Sequence, residues 1–158
     1  MIKNKLYVVL DNIRSRENVG SIFRTADAAG VSKIYLCGIT PAPPHEKISK
    51  TALGAEKWIP WEYHKQTWRL LSSFAKATAD KEKLKIVALE QTKKSMNIFK
   101  FKKPKNYSIV LVVGNEVKGL SPKILKYCDD QIFIPMYGKK ESLNVSVATG
   151  IALYQLLR

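Results

Sequence analysis

Short apolar runs alternate with amphipathic stretches along this chain. "KLYVVL" (5–10), "KIYLC" (33–37), "LKIVALE" (84–90), "SIVLVVG" (108–114) and "QIFIP" (131–135) are rich in β-branched and aromatic residues and are bounded by Gly, Pro, Asn or Asp, which predicts five buried strands. Between them lie helical patterns: "NVGSIFRTADAAG" (18–30) stopping at Gly30, a short helix near 45–55, "QTWRLLSSFAKATAD" (66–80), "SPKILKYC" (121–128) and "SLNVSVATGIALYQLLR" (142–158). Ser121 before Pro122 reads as an N-cap followed by proline at the first helical position, where a missing N–H is harmless. "KATADKEK" (76–83) reads as a frayed helix end running into a solvent loop. Strand alternating with helix predicts an α/β fold, a mostly parallel sheet with helices on both faces, in a single domain over residues 1–158. Because knotted chains are rare, topology rules alone make this an ordinary doubly wound sheet with its ligand at the carboxyl ends of the strands.

Composition narrows the picture. At 158 residues the chain can bury a core without disulfides or metal. No apolar run approaches the roughly 18 residues of a membrane span. The first apolar run meets Asp11, Asn12 and Arg14 too soon for a signal peptide, so a cytoplasmic location is expected. Cys37, Cys128, His45 and His64 are isolated from one another, so neither a metal site nor a structural disulfide is expected. The informative quantity is charge: 27 basic against 13 acidic residues leave +14, which favours a polyanionic partner over a merely soluble surface.

Three segments carry candidate chemistry. In "LDNIRSRENVGSIFRTADAAGV" (10–31) a strand runs into a basic loop, Asn18 is placed to cap a helix, and Arg24 follows two turns later. Taken alone, this is equally a tightly packed helix with a surface arginine. "LVVGNEVKGLS" (111–121) puts two glycines and Glu116 in a strand-to-helix loop and matches neither the dinucleotide-binding nor the P-loop fingerprint; a plain turn explains it equally well. "IPMYGKKESLNVSVATGIALYQLLR" (134–158) passes through a basic loop to a helix whose first turn holds Ser142, Asn144 and Ser146. Simple capping is the bland reading there.

Together, in this order, the three segments resemble the motifs of the SpoU (TrmH-like) family of the SPOUT superfamily, S-adenosylmethionine-dependent RNA ribose 2'-O-methyltransferases. The resemblance runs over nearly the whole chain, and "GAEKWIP" (54–60) and "ALEQTKKSMNI" (88–98) are similar to the tRNA guanosine-18 subgroup. The resemblance implies a C-terminal deep trefoil knot, a homodimer in which the last helix takes part through Val145, Ala148, Ile151, Ala152 and Leu156, and methyl transfer to tRNA, with rRNA the alternative. A catalytically silent RNA-binding protein is a further, less favoured reading.

The resemblance also implies residue roles. Gly114, Asn115 and Gly119 from the second segment and Ile134, Met136, Ser142, Leu143 and Asn144 from the third would bind the cofactor. Asn18, Arg24, Glu116, Ser142 and Asn144 would form the catalytic set, with Glu116 orienting Asn144 or the arginine. A neutral guanidinium at neutral pH costs roughly 7 kcal/mol, so Arg24 is expected to clamp phosphate and polarise the hydroxyl rather than to serve as base. Basic loops bearing Lys3, Lys5, Arg14, Arg16, Lys93, Lys94, Lys102, Lys103, Lys105, Lys139 and Lys140 would hold RNA through its phosphates.

Overall fold

The structure is a computed structural model that describes residues 4–77 and 82–158. Lys3 and part of the 76–83 loop fall outside them. The elements run β1 (Leu6–Asp11), α1 (Arg16–Ala28), β2 (Lys33–Cys37), α2 (Glu46–Ala52), β3 (Trp61–His64), α3 (Thr67–Ala77), β4 (Leu84–Leu89), β5 (Met96–Asn97), β6 (Ser108–Val113), α4 (Pro122–Leu125), β7 (Asp130–Phe133) and α5 (Val145–Leu157). The seven strands form one sheet in the order β3-β2-β1-β6-β4-β7-β5, and every pair is parallel.

The five expected strands are present within a residue or two at each end. The two unexpected ones, β3 and β5, sit at the outer positions of the sheet, where a strand has one neighbour and needs little apolar content. "WEYH" accordingly holds no continuous apolar run, and a two-residue "MN" is below any pattern's reach. Three helix boundaries also differ. Asn18 is not the cap of α1: Ser15 takes that place, its hydroxyl accepting the Asn18 N–H at 3.1 Å, so Asn18 lies inside the first turn. The 121–128 helix shortens to one turn, although Ser121 does cap it. The last helix begins at Val145 rather than Ser142, with Asn144 as its cap, so Ser142 and Leu143 belong to the preceding loop.

Alternate strand residues bury on opposite faces, as a doubly covered sheet requires. Val8, Leu10, Ile34, Leu36, Leu111 and Val113 meet Val19, Ile22 and Phe23 of α1 and Ala152, Leu153 and Leu156 of α5. Val9, Tyr35, Cys37, Val110 and Val112 meet Leu70 and Leu71 of α3 and Ile124 of α4. Gly20 lets α1 and α2 touch, since a methyl there would overlap the Thr51 hydroxyl and the Ile48 carbonyl. β7 lies between β4 and β5, and the 90–95 connection joins those two strands across its end, tied to it by Glu90 N–H to Ile132 O at 2.9 Å and the Thr92 hydroxyl to Gln131 Oε1 at 2.6 Å.

Candidate active site

The carboxyl ends of β1, β6, β4 and β7 converge on three loops that come from the three candidate segments. Glu116 is the junction. Its carboxylate accepts Arg14 N–H at 2.9 Å, Ser15 N–H at 3.0 Å and Asn18 Nδ2–H at 3.2 Å, so the second segment holds both the entry to α1 and a side chain within it. Asn18 Oδ1 in turn accepts Asn144 Nδ2–H at 3.1 Å. Asn144 Oδ1 then caps α5, accepting Ser146 N–H at 2.9 Å and the Ser146 hydroxyl at 2.6 Å. Glu116 is thus linked to Asn144 through Asn18, with no direct hydrogen bond between the two among the described residues. Burial alone would push the Glu116 carboxyl up; the Arg14 and Ser15 amides and Asn18 outweigh it and hold the carboxyl below its ordinary value.

The 114–120 loop is shaped by tight contacts. A Cβ on Gly114 would stand 2.6 Å from the Gly119 carbonyl carbon and 2.8 Å from Leu120 N, and Gly119 sits at φ +64°. The Asn115 side chain is spent on the loop itself: Oδ1 accepts Val117 and Lys118 N–H at 2.9 Å each, and Nδ2 donates to Asn12 O at 2.7 Å. Glu90, absent from the expected site residues, pins the far side by accepting Leu120 N–H at 2.7 Å. Its only signal in the sequence was its place at the end of an apolar strand.

Between these loops runs a cleft of about 660 Å³, within the roughly 300–1,000 Å³ typical of small-molecule sites. Gly114, Asn115, Glu116, Gly119, Ser142, Leu143, Asn144 and Asn18 line it, and it continues into an apolar end formed by Leu89, Ile134, Met136 and Ala148. Of the expected site residues, one is elsewhere: Arg24 is exposed and lines neither part. Six residues beyond Asn18, it lies about 240° further around the helix, on a different face.

The lining carries an unexpected charge. In a protein of net charge +14 the cleft contains Glu90, Glu116 and Glu141 and, among the described residues, no lysine or arginine. Such a site suits a ligand that is cationic and partly apolar.

Among known proteins, the SpoU rRNA Methylase family matches residues 5–154. A tRNA (guanosine(18)-2'-O)-methyltransferase of Aquifex aeolicus is 39% identical over 156 residues, covering 97% of this chain and 69% of that protein. The 23S rRNA (guanosine-2'-O-)-methyltransferase RlmB of Vibrio vulnificus is 30% identical over 164 residues, covering 97% of this chain and 59% of its own length. The crystal structure of the A. aeolicus TrmH/SpoU tRNA modifying enzyme superposes with a TM-score of 0.83 at 36% identity, covering 98% of this chain and 74% of that one. The SpoU methyltransferase AviRb from Streptomyces viridochromogenes, in complex with the cofactor AdoMet, gives 0.88 at 25% identity, covering 99% and 58%. The chain therefore spans between about three fifths and three quarters of these proteins. With the family match running from the first strand into the last helix, and with all three motif segments meeting in one hydrogen-bonded chain, this protein belongs to the SpoU methylase family.

Proposed function

We propose that this chain is an S-adenosylmethionine-dependent methyltransferase that acts on a ribose 2'-hydroxyl of RNA, with tRNA the favoured substrate and guanosine 18 the favoured site. The observation that carries the reading is the acidic, cation-free cleft in a basic protein. S-adenosylmethionine bears a sulfonium and an ammonium against one carboxylate, so it is a net cation with an apolar adenosine; both features match the lining. The 23S rRNA enzyme among the relatives supports rRNA as the second reading.

When bound, the cofactor supplies an electrophilic methyl group to an in-line displacement. The chain's own task is to position the hydroxyl and to stabilise the charge that develops on it. Gly114 and Gly119 let the 114–120 loop fold tightly against itself and against Glu90, which shapes the wall of the cleft, and Ile134, Met136 and Leu143 would cover the adenosine. Asn144, fixed through Asn18 by Glu116, presents its polar end at the cleft beside Ser142. Arg24 acts from outside the cofactor cleft, on the phosphate of the target nucleotide, where its fixed charge polarises the hydroxyl and a phosphate oxygen or water takes the proton. No step calls for a metal. Among the described residues no group of three or more His, Cys, Asp or Glu is placed to hold one.

Residues 1–158 act as one catalytic unit in this reading, in the cytoplasm, where its RNA substrates are; among the described residues no helix is long and apolar enough to cross a membrane. The C-terminal stretch threads the 90–95 connection as the family's knot, a reading supported by β7 lying between the two strands which that connection joins. The active form is a homodimer. α5 buries Thr149, Ala152, Leu153 and Leu156 in its own core yet leaves Val147, Tyr154 and Leu157 about half exposed, an apolar face suited to a second copy. Of the residues expected for that interface, Ala152 and Leu156 are committed to the core instead. The test is incubation with methyl-labelled S-adenosylmethionine and, separately, unmodified tRNA and rRNA. Label on tRNA is expected; label only on rRNA would favour the second reading, and label on neither would refute the activity.

A further inference from the structure

A second cleft of about 660 Å³ opens at the carboxyl ends of the strands, on the β1–β2 side of the 115–119 loop. Asn115, Val117 and Gly119 form a wall common to both clefts. Their charges are opposite. Where the first carries three glutamates and no cation, the second is lined by Arg14, Lys65 and Lys118, with Asp11 its single acid.

That acid does not neutralise the cations. Asp11 is 4% exposed, accepts a hydrogen bond from the Thr67 hydroxyl, and has its carboxyl pushed up by burial. Among the described residues none of Arg14, Lys65 and Lys118 is in an ion pair. Beside them Trp68 holds two further cations at the same edge, with Lys123 Nζ 4.5 Å and the Arg69 guanidinium carbon 5.2 Å from its ring centre. Two apolar side chains of the lining, Ile39 and Val117, are 64% and 80% exposed and so contribute little to packing. Cations around an apolar shelf match the two halves of a nucleotide: phosphates for the first, a base for the second.

We propose that this second cleft holds an RNA nucleotide adjoining the one that is methylated, its phosphates against Arg14, Lys65 and Lys118 and its base on the Ile39–Val117 shelf. The assignment rests on the RNA methyl-transfer reading above. The shared wall explains the adjacency: it is one loop thick, so a strand crossing at Val117 enters both sites. Asn115 keeps that wall in place by bonding on one side to Asn12 O and on the other to the Val117 and Lys118 amides. Arg14, Lys65 and Lys118 line the second cleft and not the first, so these cations govern affinity for RNA and leave affinity for the cofactor alone.

The test compares the wild type, a Lys65→Ala/Lys118→Ala double variant and Val117→Ser. Binding of an unmodified tRNA transcript is followed across salt concentrations, with cofactor affinity by calorimetry and kcat at saturating RNA. Each phosphate contact in a single strand carries about 0.7 of log–log salt slope. The double variant is expected to flatten the slope by about 1.4 and to raise the RNA Kd about tenfold near 100 mM salt, with cofactor affinity and kcat unchanged. Val117→Ser is expected to raise the RNA Kd without changing the slope. A wild type that methylates the transcript while the lysine variant keeps its Kd and slope overturns the second cleft and leaves the methyl-transfer reading standing. A wild type that neither binds nor methylates RNA overturns both.

Discussion

Replacing Glu116 with glutamine tests the hydrogen-bonded chain at its origin. The carboxylate serves three donors, the Arg14 and Ser15 amides and Asn18 Nδ2. Glutamine keeps one acceptor oxygen and turns an NH2 toward groups that themselves donate, so at least one amide loses its partner. At about 1.5 kcal/mol for each hydrogen bond to a charged acceptor, three such bonds sum to about 4.5 kcal/mol; glutamine keeps one acceptor and water reaches this half-buried site, which brings the expected loss to about 2 kcal/mol at neutral pH. The pH dependence follows from the direction of the shift. A carboxyl held below its ordinary value of 4.5 contributes stability above that value and loses it as pH falls through the folded-state pKa. The gap between wild type and Glu116→Gln, measured by urea denaturation, should therefore be widest at pH 7 and should shrink steadily below about pH 4.5. Because Asn18 loses its anchor and Asn144 depends on Asn18, methyl transfer should fall at least tenfold while the variant remains folded. An equal gap at pH 7 and pH 3, or no gap at all, would refute the assignment of Glu116 as a charged acceptor.

Other consequences are as direct. Asn144→Ala removes the α5 cap and should cost about 1 kcal/mol in denaturation, whereas Asn144→Asp keeps the capping oxygens and should hold stability while losing activity with the amide that reached Asn18. Gly114→Ala drives a methyl against backbone at 2.6 and 2.8 Å and should lower stability by about 1–3 kcal/mol and weaken cofactor binding in calorimetry. Arg24→Ala, at an exposed position, should leave melting temperature and cofactor affinity unchanged and abolish turnover; retained turnover would remove Arg24 from the mechanism. Raising salt from about 50 to 200 mM should weaken RNA binding by orders of magnitude, and a flat titration would argue against phosphate contacts.

Much of the fold was legible because the central strands are buried on both faces, which makes them continuous apolar runs such as "SIVLVV". β3 and β5 were not, because outer strands need no such run. The site residues were named from the family's motifs, but their connections were hidden. Nothing in the spacing says that Glu116 reaches Asn144 through Asn18, across 98 and then 126 positions of chain. Asn18 itself looked like a cap, since an Asn before an apolar helical stretch has that form, and only the structure shows Ser15 starting the helix three residues earlier. The acidity of the cleft was invisible too: Glu90 and Glu141 stand among lysines in sequence, and it is folding that gathers them with Glu116.

The most direct test of the account is the chemical position of the transferred methyl. Wild-type protein, methyl-labelled S-adenosylmethionine and unmodified tRNA are incubated, the RNA is digested to nucleosides, and each labelled product is fragmented by mass spectrometry. The label is expected on the ribose fragment of a single nucleoside and is expected to be lost in Arg24→Ala and Glu116→Gln. Label on a base fragment, or label that survives both substitutions, would contradict it.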